Sequence, residues 1–225
     1  MKKILQSLVD VCEGNVWNLD FQNCTHKVVS ATSLPCFFTP EPHKYSINLS
    51  KISLYFGDWR FVKASAVLMG SKRNFMSKFL SQLGNNVEET KNFNGKINHC
   101  CNFSNCNSDH ILYTNIDICQ NYQVDKQIQL AIETCISNRW ESLVIPEQLI
   151  GYEPTPLYNS AYQCIDLIVK STRDYIENKT KIESKDSVKD ASRLERIVFC
   201  TTSNSTWKLY NSLIPWHFTN LTQQI

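Results

Sequence analysis

The sequence predicts an α/β fold, a three-layer α/β/α sandwich with a mixed, mostly parallel central sheet. Ile52, Leu54 and Phe56 alternate with more polar residues, which is the period-two pattern of a half-buried strand. The small apolar run at 64–68 suits a central strand that is buried on both faces. Helical and strand patterns then alternate through the second half of the chain, which is typical of a sheet covered on both sides.

The second half supplies four further elements in order. Residues 125–139 place apolar side chains at helical spacing, and a short apolar strand, 142–146, follows and ends in proline. A second amphipathic helix is predicted over 157–177. A last buried strand at 196–200 precedes a short terminal helix at 205–213.

Length and charge limit the classes of function. The 225 residues allow one well-buried core with extensions. A net charge of +2 at pH 7 gives no argument for a nucleic-acid or membrane partner. No segment approaches the roughly 20 apolar residues of a membrane helix, and Gln6 and Ser7 break the apolar start that a signal peptide would need. We therefore expect an intracellular protein, cytoplasmic or nuclear, with no membrane partner.

Two features favour the alternative of secretion. The chain has ten cysteines and several Asn-x-Ser/Thr triplets, which a secreted protein would use as disulfides and glycan sites. The triplets begin at Asn23, Asn48, Asn102, Asn178, Asn204 and Asn220. Asn, Ser and Thr are abundant, however, so such triplets arise by chance. Several cysteines also lie within apolar patterns, where a free thiol acts as a small hydrophobe.

A cluster of thiols and imidazoles raises the question of a metal site. The candidate zinc ligands are His99, Cys101, Cys106 and His110. Their spacing is not one of the paired short-knuckle patterns, and the alternative is an Asn-rich surface loop with incidental thiols. No nucleophile-base set is apparent, and the scattered glycines exclude the common phosphate loops. We expect no cofactor, no metal and no catalytic residue.

The segment 51–71 resembles the opening of the macro domain, the module that binds ADP-ribose. The family shows a strand, Gly-Asp-Ile, a second buried strand and a glycine-rich loop; here the order is Ile52–Phe56, Gly57-Asp58-Trp59, then Ala66–Leu68 and Gly70. The resemblance covers roughly residues 47–213. It implies a macro-like domain at 47–225, with a charged insertion at 177–195. Residues 1–46 form an N-terminal extension that we expect to pack on the core and that could hold a protein partner.

The resemblance also implies a ligand site. Asp58 stands where the family accepts a hydrogen bond from the adenine amine, although an aspartate in such a turn can instead cap backbone N–H groups. Trp59 would cover an adenine face or fill the adenine space. The remaining implied contacts are Gly70, Ser71 and Lys72 in the first phosphate loop, Gly151 and Tyr152 in the second, and Asn204 after the last strand.

The chain departs from the family where the chemistry lies. The two loop asparagines that hold the distal ribose fall on Met69 and Lys72, and a methionine cannot replace an amide. We therefore predict a degenerate macro-like binding module that recognises ADP-ribose, a related nucleotide or a nucleic acid beside Asp58. Lys63, Lys72 and Arg73 are the basic candidates for nucleic acid. The alternative is a protein adaptor with a filled cleft. A residual ADP-ribosyl hydrolase is less compatible with Met69 and Lys72.

Overall fold

A seven-stranded sheet forms the centre of the protein. The computed structural model describes residues 27–37, 47–69, 88–93, 97–101, 106–113, 121–147, 161–183 and 194–219. The strands are β1 (Val29–Ser30), β2 (Ile52–Phe56), β3 (Val62–Lys63), β4 (Ala66–Met69), β5 (Glu88–Phe93), β6 (Ile97–Cys101), β7 (His110–Tyr113), β8 (Ser142–Pro146) and β9 (Arg196–Thr201). The sheet order is β2-β9-β8-β4-β7-β6-β5, and β1 and β3 form a separate parallel pair.

The strand directions confirm the predicted mixed, mostly parallel sheet. Neighbours run parallel among the first five strands in the sheet order, which are β2, β9, β8, β4 and β7. The last two strands, β6 and β5, continue the sheet in antiparallel fashion. All four residues of β4 are buried, because this strand lies between β8 and β7 and is covered on both faces. This is the position that the apolar run at 64–68 predicts.

Within the described ranges, three α-helices cover one face of the sheet. They are α1 (Asn121–Ser137), α2 (Ala161–Glu183) and α3 (Asn204–His217). Their buried apolar side chains, among them Ile128, Ile168 and Leu213, pack with Leu68, Leu143 and Phe199 of the strands in one core cluster. The two long helices and the terminal helix predicted from apolar spacing are therefore confirmed. The second helix continues to residue 183, into the predicted charged insertion.

Short segments cover the opposite face. The 3-10 helices Ala31–Ser33 and Trp59–Phe61 bring buried residues against the other side of the strands, where Val67, Val144 and Val198 point. Residues 27–37 belong to the predicted N-terminal extension, and within them Ala31 is fully buried in this second cluster. Alternate apolar side chains of the central strands therefore point into two cores, one on each face of the sheet.

The hairpin of β5 and β6 has no counterpart among the predicted elements. Its strands, EETKNF and INHCC, lack the apolar alternation that marks a half-buried strand. The expectation of a surface loop around residues 99–101 is wrong, because this segment pairs with β7 in the sheet, with Cys101 opposite His110.

Candidate functional site

The five parallel strands end together at one edge of the sheet. Their last residues are Phe56, Met69, Tyr113, Pro146 and Thr201. In open α/β sheets, ligands bind outside the carboxyl ends of the strands. This edge is therefore the candidate site, and the residues that directly follow the strands decide its chemistry.

Gly57 follows β2 and is held closely against the end of β9. Its N–H donates to the carbonyl of Thr201 at 2.8 Å, and the Cys200 thiol donates to the Gly57 carbonyl at 3.1 Å. A Cβ atom at residue 57 would lie 2.7 Å from Cε1 of the Tyr55 ring and 2.8 Å from its hydroxyl oxygen. Glycine is needed here because the ring covers the place of a side chain.

Asp58 presents a buried carboxylate at this edge. Its side chain is 4% exposed. It accepts a hydrogen bond from the Arg60 backbone N–H at 3.0 Å, another from Arg60 Nε at 2.8 Å, and a third from Nη2 of the same guanidinium. The turn-capping interpretation of Asp58 is confirmed, since it caps the 3-10 helix Trp59–Phe61.

The guanidinium of Arg60 fixes the orientation of that carboxylate. Its hydrogen bond to Asp58 raises the pKa of Arg60, against the opposing effect of burial. The Arg60 side chain is 42% exposed, whereas the Asp58 side chain is buried. A carboxylate offers about four acceptor positions, so three donors leave room for one further donor.

Trp59 and Met69 both lie in the second core cluster. Trp59 packs with Val62 and Ala64, and Met69, the last residue of β4, is also fully buried there. Sequence patterns did not decide whether the indole would face a ligand or pack internally. The structure buries it, so the described surface at this edge lacks a Trp59 ring face.

Glu147 is a second buried acid at the same edge, and the sequence interpretation missed it. The residue follows β8 directly and is 1% exposed. It accepts hydrogen bonds from the Thr202 N–H at 3.1 Å, from the Thr202 hydroxyl at 2.7 Å and from the Thr201 hydroxyl. The available signal was an acid placed directly after an apolar strand.

The start of α3 completes the described part of the edge. Ser203 caps the helix, because its hydroxyl accepts from the Thr206 N–H at 3.4 Å. Asn204 is the first helical residue and is exposed. Phe56 and Trp207 meet edge to face, with their ring centroids 5.8 Å apart. Asn204 follows β9 and Asp58 follows β2, and these two strands are neighbours in the sheet.

The other predicted contacts lie outside the described residues. These are Gly70, Ser71, Lys72, Gly151 and Tyr152. They follow β4 and β8 in the sequence, and their position at this edge of the sheet stays a prediction. Lys63, one of the predicted basic residues, is exposed on β3.

The described residues contain no group of three His, Cys, Asp or Glu side chains that could hold a metal ion. Of the proposed zinc ligands, His110 stacks on Trp140 with ring centroids 4.2 Å apart. Cys106 packs against the second core cluster and accepts from the Ser108 N–H. All seven described cysteines are free thiols. None of the described helices combines the length and apolar content that a membrane crossing requires.

Comparison with known proteins identifies the architecture. No protein-family model and no curated protein matches the sequence. The Trypanosoma brucei macrodomain in complex with ADP-ribose matches with a TM-score of 0.59 and 11% identity, over 92% of this chain and 95% of that one. The macro domain of ganglioside induced differentiation associated protein 2 matches with a TM-score of 0.53 and 14% identity, over 85% and 97%.

A further T. brucei structure, in complex with ADP, matches with a TM-score of 0.54 and 10% identity, over 92% of this chain and 85% of that one. These likenesses span most of each chain and confirm the resemblance seen in the sequence. The chain therefore has the macro domain fold, carried by a sequence that has diverged far from those of the solved examples.

Proposed function

We propose that the protein is a binding module for ADP-ribose or a related adenine nucleotide, which it takes at the carboxyl edge of the sheet beside Asp58. The observation that supports this most is the Asp58 carboxylate, which is buried at the end of β2 and oriented by Arg60. Solved structures with the same fold contain ADP-ribose and ADP.

A fixed carboxylate suits the exocyclic amine of adenine. The amine is a donor, and hydrogen bonds to a charged acceptor are roughly twice as strong as neutral ones. Arg60 holds the carboxylate in one orientation, so little conformational freedom is lost on binding. Asp58 therefore serves as the acceptor that distinguishes adenine from bases with a carbonyl at that position.

The residue at the end of β4 favours ligand binding without catalytic turnover. Met69 stands where the resemblance would place a ribose-holding amide, and its side chain is buried in the core. A thioether is only a weak acceptor and donates nothing. The module therefore recognises its ligand mainly from the adenine side.

The test is a calorimetric titration of ADP and of inosine diphosphate, whose base has a carbonyl in place of the amine. We expect the wild type to prefer ADP by about 10–100-fold, the range of a hydrogen bond to a charged group. Asp58→Asn removes that preference, because the amide can both accept from the adenine amine and donate to the inosine carbonyl. Asparagine can still offer its oxygen to the Arg60 backbone N–H, but its NH₂ group then faces the donors of the Arg60 guanidinium, so thermal unfolding of the variant checks that its fold is retained.

Asp109→Asn is the matched control. Asp109 is exposed and directly precedes β7, which places the same change of charge at the opposite edge of the sheet. It should leave both affinities unchanged. Equal affinity of the wild type for the two nucleotides would contradict the role of Asp58, and no binding of either would contradict the proposal as a whole.

A second candidate is a protein adaptor with a filled cleft. The burial of Trp59 and Met69 favours it, since both side chains contribute to packing. The same titration separates the two functions. An adaptor gives no heat with ADP, with inosine diphosphate or with ADP-ribose.

A further inference from the structure

The buried Glu147 carboxylate has an environment that proteins usually build for a bound anion. Its three donors are one backbone N–H and two hydroxyls, from Thr201 and Thr202 at the end of β9. Backbone amides and hydroxyls at a strand end are the groups that commonly hold the oxyanion of a ligand. Here a side chain of the protein occupies them.

The start of α3 adds favourable electrostatics. The helix begins at Asn204, two residues after Thr202, and the positive end of a helix dipole stabilises a negative charge nearby. In the described part of the chain, no lysine or arginine pairs with Glu147. A buried charge without a cation needs a full set of donors, and the strand end supplies them.

Tyr210 is a further polar side chain buried in the core near this place. Its side chain is fully buried, and its hydroxyl has no hydrogen-bond partner in the described structure. Burial raises the pKa of Tyr210 well above its usual value, and the nearby negative charge of Glu147 contributes to the same shift. The Tyr210 hydroxyl is therefore a buried donor for which the described residues supply no acceptor.

We infer that Glu147 is an internal anion, which occupies an oxyanion site formed by the end of β9 and the start of α3. Its carboxylate takes the place that a carboxylate or phosphate of a ligand would otherwise fill. Because the acid is buried, ligand oxyanions are excluded from these donors in the wild type. A ligand group that reaches this part of the edge is therefore not an anion.

The inference goes beyond nucleotide binding and is tested without a nucleotide. Glu147→Ala removes Cγ, Cδ and both oxygens, a set of heavy atoms that matches acetate. The variant should be less stable than the wild type, because the Thr202 N–H loses its buried acceptor. Acetate should restore stability in a saturable way, with a Kd on the order of millimolar, whereas chloride at equal ionic strength should not.

Thermal unfolding and amide NMR provide the two measurements. The Thr202 amide resonance of Glu147→Ala should move during acetate titration and that of the wild type should stay fixed. Glu195→Ala, which removes an exposed acid next to the amino end of β9, is the control and should show no acetate dependence. An unresponsive Glu147→Ala, or an equal response of the wild type, would overturn the inference.

Glu147→Gln keeps the test decisive if the alanine variant does not fold. Glutamine has nearly the same volume but no charge, and its NH₂ group would face donors. We expect it to lower the melting temperature and to show no acetate response, because the space stays filled. A glutamine variant as stable as the wild type would show that no anion is required there.

Discussion

Replacing Gly57 by alanine probes how closely the end of β2 is packed beside the candidate site. The added methyl group would meet the Tyr55 ring at 2.7 Å from Cε1 and 2.8 Å from Cζ. Tyr55 is buried in the second core cluster, so its ring cannot turn away without disturbing neighbours. Overpacking of a core typically costs about 1–3 kcal/mol.

A smaller opposing effect comes from the unfolded chain. Alanine has less backbone freedom than glycine, which stabilises the native state by about 0.4–1 kcal/mol where the backbone is compatible. Gly57 is outside the left-handed region, so this gain applies. The net expectation for Gly57→Ala is a loss of about 1–2 kcal/mol in the free energy of unfolding.

A double-mutant cycle with Tyr55→Leu isolates the contact. Leucine lacks the ring atoms that the methyl group would meet and keeps an apolar side chain in the core. Urea unfolding followed by tryptophan fluorescence and by circular dichroism gives the four free energies. In the leucine background, Gly57→Ala should cost nothing or stabilise slightly. An equal loss in both backgrounds would refute the steric explanation, because the cost would then come from the backbone.

Two further predictions concern the helical face. Burial raises the pKa of the Cys164 thiol to about 12, so iodoacetamide at pH 8 should modify it at least about tenfold more slowly than the exposed Cys36. Mass spectrometry of the native protein measures both rates of modification. Equal rates would contradict the packing of α2. Asp166→Ala removes the 2.7 Å contact to His217 Nε2 that joins α2 to α3 and should lower the free energy of unfolding by about 0.5–1 kcal/mol. In a cycle with His217→Ala, fully additive losses would show that the pair contributes nothing.

The strands that the sequence predicts are those whose signal is local. Alternation in 52–56 and the apolar runs at 66–68 and 142–146 are visible in the chain itself, because each residue's burial follows from its position on a pleated strand. The β5–β6 hairpin lacks such a pattern. It joins the sheet through backbone pairing of β6 with β7, and backbone pairing leaves no mark in the pattern of apolar side chains.

The site was predictable in the same uneven way. Asp58 was singled out through the resemblance of its strand-Gly-Asp order to the macro domain, and its capping role uses Arg60, only two residues away. Glu147 was not identified, because its partners Thr201 and Thr202 are more than fifty residues distant. The one local signal, an acid directly after an apolar strand, does not show which groups would bind its carboxylate.

Patterns in the sequence were therefore sufficient to predict β2, β4, β8 and β9, the three helices, a mixed sheet and the place of Asp58 after a strand. Short-range periodicity and turn chemistry carry this information. The tertiary structure decided that β9 lies between β2 and β8, which brings Gly57, Thr201 and Glu147 together at one edge. It also buried Trp59 and Met69 in the second core. These outcomes depend on contacts between distant segments, whose pairing only the packed sheet establishes.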